Sequence, residues 1–210
     1  MSRRLYAAVV AMIGWLAVAT QVFLVVKIVT AAGRSPLAGV VNTLSYFTVS
    51  TNLLAAVVAT ALALGGRPGA FLTRPGTVSA VTVYMAVVGL VYSLVLRVLW
   101  NPTGLQQAAD VALHDLAPIL FALYWLVFTP KGGLRWRQPA QWLIYPMAYM
   151  AYSLARGALT GLYLYPFADV TRLGYGAVLA NTALLMAAFL SLGLILVAID
   201  RLIGGRVQKA

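Results

Sequence analysis

Six apolar runs constrain this chain more than any other feature. They span roughly Leu5–Val26, Leu44–Leu64, Val78–Leu96, Val111–Phe128, Trp142–Tyr165 and Tyr175–Ile199. Each reaches the length that crosses the hydrocarbon core of a bilayer. Hydrocarbon offers no partner to backbone N–H and C=O groups, so each run is predicted to be an α-helix. The helix breakers fall between the runs: Gly33 and Pro36; Gly65, Gly66, Pro68 and Pro75; Pro102 and Gly104; Pro130, Gly132, Gly133 and Pro139. No connection is long enough to fold alone. The expected architecture is therefore all-α: one polytopic six-helix transmembrane domain over residues 1–210. Only 9% of the residues are charged, far below the roughly 25% of soluble domains. The N-terminus resembles a signal peptide, but its apolar stretch exceeds an h-region and no clear small-residue cleavage site follows, so it is read as the first span.

The basic residues orient this bundle. Arg3, Arg4, Arg67, Arg74, Lys131, Arg135, Arg137, Arg201, Arg206 and Lys209 fall on one side of the six runs. Only Lys27, Arg34, Arg97 and Arg172 fall on the other, and Arg156 lies within a run. The richer side is expected to be cytoplasmic, which puts both termini inside. The net charge of +11 is spread in ones, twos and threes between apolar runs. That pattern reads as topology signal and anionic-lipid contact, not as a nucleic-acid surface. The chain has no cysteine, which excludes disulfides, thiolate metal sites and a cysteine nucleophile. His114 is the sole histidine, so neither a two-histidine haem nor a typical zinc site is expected. No cofactor or metal is predicted.

Once oriented, the polar residues acquire depths at about 1.5 Å per residue. Thr48 then lies about 6 Å and His114 about 5 Å below the outer face, with Asn181 and Gln21 at about 8–9 Å and Asn52 and Arg156 at about 12–14 Å. Asp115 sits beside His114. The cytoplasmic half carries hydroxyls such as Thr60, Ser79, Thr82 and Ser191, and the tyrosines of the fifth run. This asymmetry predicts a polar chamber open to the outer side or outer leaflet. Thr48 and Asn52 are four apart and share a helix face. Arg156 is the most costly residue to bury, at about 2.5–3.5 kcal/mol on insertion scales, and Asp115 or an anionic substrate group is its expected partner. Pro118 cannot donate to the carbonyl of His114, which predicts a freed acceptor and a bend beside the imidazole. The bland alternatives are a Thr48 hydroxyl bonded to its own helix, and Asn52 and Asn181 as interhelical links. Gly157 and Gly161 read as a packing pair.

Three stretches together resemble the androgen-induced protein family, which includes the androgen-dependent tissue-factor-pathway regulator, and its bacterial six-helix relatives. They are Tyr46-Phe47-Thr48-Val49-Ser50-Thr51-Asn52-Leu53-Leu54, Leu113-His114-Asp115-Leu116-Ala117-Pro118-Ile119-Leu120, and Arg156-Gly157 through Thr160-Gly161 to Tyr165-Pro166-Phe167. The resemblance implies a multi-pass protein of the bacterial inner (plasma) membrane. Animal members of that family hydrolyse fatty acid esters of hydroxy fatty acids with an intramembrane threonine nucleophile and a histidine. The matching positions are Thr48 and His114, as in a serine-hydrolase-like threonine lipid esterase. A threonine hydroxyl needs a base at neutral pH, and an imidazole supplies one. Asn52, Asn181 or Arg156 would stabilise the oxyanion, and Arg156 or Asp115 would help place the substrate. The partners implied are a lipid-like substrate and the membrane. Two other functions fit the same residues: a small transporter or channel, and a non-catalytic lipid-binding protein.

Overall fold

The computed structural model describes residues 2–65 and 70–207, with side chains through residue 205. Arg67 and Lys209, two of the orienting cations, lie outside the described residues. All regular structure among those described is helical. Four helices are long and apolar enough to cross a membrane: Arg3–Ala31, Pro75–Leu99, Gly104–Phe128 and Val170–Gly205. A fifth crossing is counted if the bent pair Pro36–Leu44 and Phe47–Ala63 forms one span.

Helix α1 (Arg3–Ala31) starts at Ser2, whose hydroxyl accepts the Leu5 N–H. It runs past the predicted end and takes in Lys27 as a helical residue. Its sequence is apolar on every side, yet it buries only the stripe Ala7, Val10, Ala11, Gly14, Ala17 and Val18. Leu16 and Phe23 stay exposed. A helix apolar all round but packed on one stripe suits lipid on its other faces. Gly14 lets the neighbouring helix close in, since a Cβ there would lie 3.0 Å from the Ala56 Cβ.

The second apolar run is divided. Helix α2 (Pro36–Leu44) and helix α3 (Phe47–Ala63) meet at an angle of 80°. The hydroxyls of Thr43 and Ser45 turn back to the Gly39 and Val41 carbonyls, at 2.8 and 2.6 Å. Such back-bonding competes with helix propagation and bends the chain. The longer helix of the pair therefore begins at Phe47, three residues after the predicted start of the run.

Helix α4 (Pro75–Val91) continues through a π-helical turn, Tyr92–Leu96, and a 3-10 turn, Arg97–Leu99. Helix α5 (Gly104–Val111) passes through a second π turn, Ala112–Leu116, into α6 (Ala117–Phe128). The fourth apolar run thus starts at Gly104, seven residues earlier than its hydropathy indicated. Short α7 (Gln138–Trp142) leads to α8 (Ile144–Thr160), which ends at Gly161 in the left-handed conformation that favours glycine. With 17 residues, α8 is shorter than the roughly 20 that cross a bilayer upright. Helix α9 (Val170–Val207) breaks at Gly174, φ 75°, so its continuous part begins at Tyr175.

The contacts divide the chain into two compact units, Met1–Pro130 and Lys131–Ala210. In the first, Ala17, Val18, Val49 and Leu113 form a buried cluster, with Val22, Tyr46 and Ala112 packed against it. Polar links tie its helices together. Trp15 Nε1 donates to Thr60 Oγ1 at 3.1 Å, Trp125 Nε1 to Ser79 Oγ at 2.8 Å, and Gln106 Nε2 to Gln21 Oε1 at 2.8 Å. In the second unit, residues 131–137 lie along the end of α9. The Leu134 N–H donates to buried Asp200 at 3.0 Å, and Arg201 Nε donates to the Leu134 carbonyl at 3.2 Å. Gly132 and Gly204 touch backbone to backbone, which leaves no room for a Cβ at Gly204.

Candidate functional site

The residues that the sequence singled out divide between the two units. Thr48, Asn52, His114 and Asp115 belong to the first; Arg156 and Asn181 belong to the second.

Asn52 ties two of the elements together. It sits on α3, fully buried, and its Nδ2 donates to the Thr48 carbonyl at 2.9 Å and to the Leu113 carbonyl at 3.1 Å. One amide group therefore binds the first turn of α3 to the residue before His114. Val49 and Leu113, the chain neighbours of Thr48 and His114, share one buried cluster. The spacing predicted that Thr48 and Asn52 share a face, and the bond between them requires it. The same geometry limits Asn52 chemically. Its NH2 is engaged by two carbonyls, and the buried Oδ1 has no hydrogen-bond partner among the described residues. What remains is an acceptor, which does not suit an oxyanion donor.

His114 lies in the second π turn. The missing N–H of Pro118 deprives the His114 carbonyl of its ordinary helical partner. The helix accommodates this by widening to a π turn before Pro118, not by breaking. Gly89 on α4 packs at the His114 carbonyl, where an added Cβ would stand 3.1 Å from the oxygen. Single π turns inside α-helices frequently mark functional sites. Here two of them meet: the His114 and Tyr92 rings stack with centroids 3.7 Å apart and planes 13° from parallel.

Asp110, absent from the sequence-derived site, is the centre of this cluster. It is 7% exposed. Its Oδ2 accepts from the Tyr92 hydroxyl at 2.5 Å. Its Oδ1 lies 3.2 Å from His114 Nδ1, and its backbone carbonyl 3.0 Å from the same nitrogen. The signal was present in the sequence, because Asp110 precedes His114 by four residues and so shares its helix face. It was missed because the apolar run was begun at Val111.

Asp115 faces another partner. The expectation paired it with Arg156, but Arg97 Nη2 holds Asp115 Oδ1 at 2.5 Å. The third apolar run ends at Leu96, just short of Arg97; the helical extension of α4 to Leu99 brings Arg97 into the candidate spanning segment, level with Asp115. Its guanidinium also lies 5.1 Å from the centroid of the Tyr92 ring.

In the second unit, Arg156 Nη1 donates to the Leu162 carbonyl at 3.2 Å, and Asn181 Nδ2 donates to the Phe167 carbonyl at 2.9 Å. Both side chains hold the segment between α8 and α9, where irregular backbone needs partners. Gly157 packs against the Tyr163 ring with no space for a side chain, whereas Gly161 meets nothing within 4 Å and caps α8, so the two do not form the predicted packing pair.

No group of three or more His, Cys, Asp or Glu side chains suited to a metal ion occurs among the described residues. The arrangement in the first unit offers a hydroxyl, an imidazole and a buried carboxylate on adjoining helices. No family model, curated protein or solved structure matches the chain.

Proposed function

We propose that this chain is an intramembrane ester hydrolase. Its substrate is a lipid-like ester, of the fatty acid ester of hydroxy fatty acid type, taken from the outer leaflet. Thr48 is the nucleophile and His114 the base. The observation that carries the reading is the pair of hydrogen bonds donated by Asn52 Nδ2, which fixes the Thr48 turn against Leu113, the residue next to His114.

The reaction has two halves. His114 takes the Thr48 proton as the oxygen attacks the ester carbonyl carbon. The C–O bond to the alcohol breaks, and the imidazolium returns the proton to the departing oxygen. Water, deprotonated by His114, then attacks the acyl-threonine, and the fatty acid leaves with Thr48 restored. The similarity to the androgen-induced protein family at Thr48, His114 and the Thr160 to Phe167 segment supports the same chemistry.

The proposed setting is the bacterial inner membrane. There are six crossings, with α2–α3 as the second and α7–α8 as the fifth, and both termini are cytoplasmic. The excess of Lys and Arg on the terminal side supports this orientation. Because the chain lacks cysteine, a single Ser2→Cys variant reports the N-terminal side by labelling with an impermeant maleimide. Labelling from outside intact cells would reverse the orientation.

The functional test is turnover of long-chain aryl esters and hydroxy-fatty-acid esters by purified protein. Thr48→Ala and His114→Ala are each expected to lower kcat by about 10³-fold or more, with unchanged thermal melting. Full turnover in both variants removes the reading. A small transporter is a second reading, favoured by buried Tyr92 and Asp110 and half-buried His114 in contiguous hydrogen-bonding reach, as in proton relays. Solute flux that survives Thr48→Ala would support it over hydrolysis.

A further inference from the structure

The two oxygens facing His114 Nδ1 decide which ring nitrogen carries the hydrogen. One is the Asp110 backbone carbonyl, at 3.0 Å; the other is the Asp110 carboxylate oxygen Oδ1, at 3.2 Å. A carbonyl and a carboxylate only accept hydrogen bonds, so Nδ1 must be the donor. The lone pair of the neutral ring then sits on Nε2, at the edge turned away from Asp110. The stacked Tyr92 ring fixes the plane of the imidazole, and the Tyr92 hydroxyl pins the far oxygen of the same carboxylate at 2.5 Å. The imidazole is thus held by its backbone carbonyl, a carboxylate and a ring face, with one nitrogen left to act.

We propose that Asp110, held by Tyr92, is the positioning residue of the His114 base. It sets the Nδ1–H tautomer and faces the positive charge that develops on the ring as Nε2 takes the Thr48 proton. A base oriented by a third group, itself held in place, is the recurrent logic of activated hydroxyl nucleophiles. This inference rests on the hydrolase reading and adds to it a residue, a ring nitrogen and a direction for proton transfer. It also explains a cost: a carboxylate buried within a helix pair is retained because each of its oxygens has a hydrogen-bonding partner.

Two measurements test it. The first needs no variant. His114 is the sole histidine, so protein labelled with ¹⁵N-histidine gives one imidazole pair. In the neutral ring, Nδ1 is expected to be protonated and Nε2 bare. The opposite assignment overturns the proposal, whatever the variants do. The second measurement compares Asp110→Asn with Asp110→Glu. A carboxamide can present its NH2 to Nδ1 and compete for the other tautomer. Asp110→Asn should therefore lower kcat by about 100-fold or more, with KM changed by about two-fold or less. It should also move the ¹⁵N pattern, and Asp110→Glu should recover part of the loss. Turnover of Asp110→Asn within about three-fold of the unsubstituted protein, with His114→Ala inactive, overturns the role of Asp110 and leaves the hydrolase intact. Turnover by both Thr48→Ala and His114→Ala removes the hydrolase itself, and this role with it. If Asp110→Asn does not fold, the ¹⁵N assignment decides alone.

Discussion

Two buried aspartates, one in each unit, have opposite surroundings. Asp110 is 7% exposed and meets a phenol and an imidazole. Asp200 is 1% exposed and meets the Leu134 backbone N–H, with Arg201 binding the carbonyl of the same residue. Burial holds the Lys131 ammonium below its usual range, and the charge of Asp200 draws it only part of the way back. One carboxylate is spent on main chain and fixes a loop. The other is spent on side chains that can exchange protons. Burial alone does not separate a lock from a site. The partners do, because a backbone amide cannot take part in acid–base chemistry at neutral pH and an imidazole can.

The contrast can be broken most forcefully at Asp200. Asp200→Ala leaves the buried Leu134 N–H unpaired and is expected to cost about 2–3 kcal/mol. The loss should appear as a lower melting temperature in detergent, with turnover per folded molecule unchanged. A fall in kcat without a change in melting would make Asp200 part of the chemistry and erase the distinction.

Gly89→Ala gives a smaller effect, which sharpens the other side. The new Cβ would press on the His114 carbonyl from 3.1 Å, so the π turn must move by a few tenths of an ångström. A net cost of about 1 kcal/mol is expected after the gain in helix propensity. Turnover should fall by several-fold as the imidazole shifts. Equal losses of activity from a matched substitution far from His114 would remove the special status of this contact.

The smallest effect concerns Asp169, at the start of α9. The Thr171 hydroxyl, followed by the Thr171 and Arg172 N–H groups, holds its carboxyl below the usual carboxylate range. Its folded-state pKa is lowered, so this contribution is complete above the unfolded value of 3.8 and is lost as pH falls through the folded one. Melting temperature recorded from pH 6 to pH 3 should decline less steeply in Asp169→Asn than in the unsubstituted protein. Identical slopes would show that the cap carries no pH-dependent stability.

Much of the helical plan was legible in the chain. Apolar runs located α1, α4, α6 and the long part of α9, down to its start at Tyr175. Their ends were not legible, because polar residues join a helix when a neighbour satisfies them. Gln106 does so through Gln21, and Arg97 through Asp115. Those extensions carried Asp110 and Arg97 from presumed loops into the cluster around His114. The 80° bend before Phe47 was also hidden, since it depends on hydroxyls returning to their own helix.

Composition and periodicity by themselves determined an apolar, helical chain with a lone imidazole, and a Thr48–Asn52 face. Both follow from local rules: backbone satisfaction in hydrocarbon and the four-residue helical repeat. Only the tertiary structure decided that Tyr92 takes the far oxygen of Asp110, that Arg97 takes Asp115, and that the Asn52 amide also reaches the Leu113 carbonyl. Those outcomes depend on how neighbouring helices approach one another and on the π turns that rotate their faces, and a linear pattern of residues encodes neither directly.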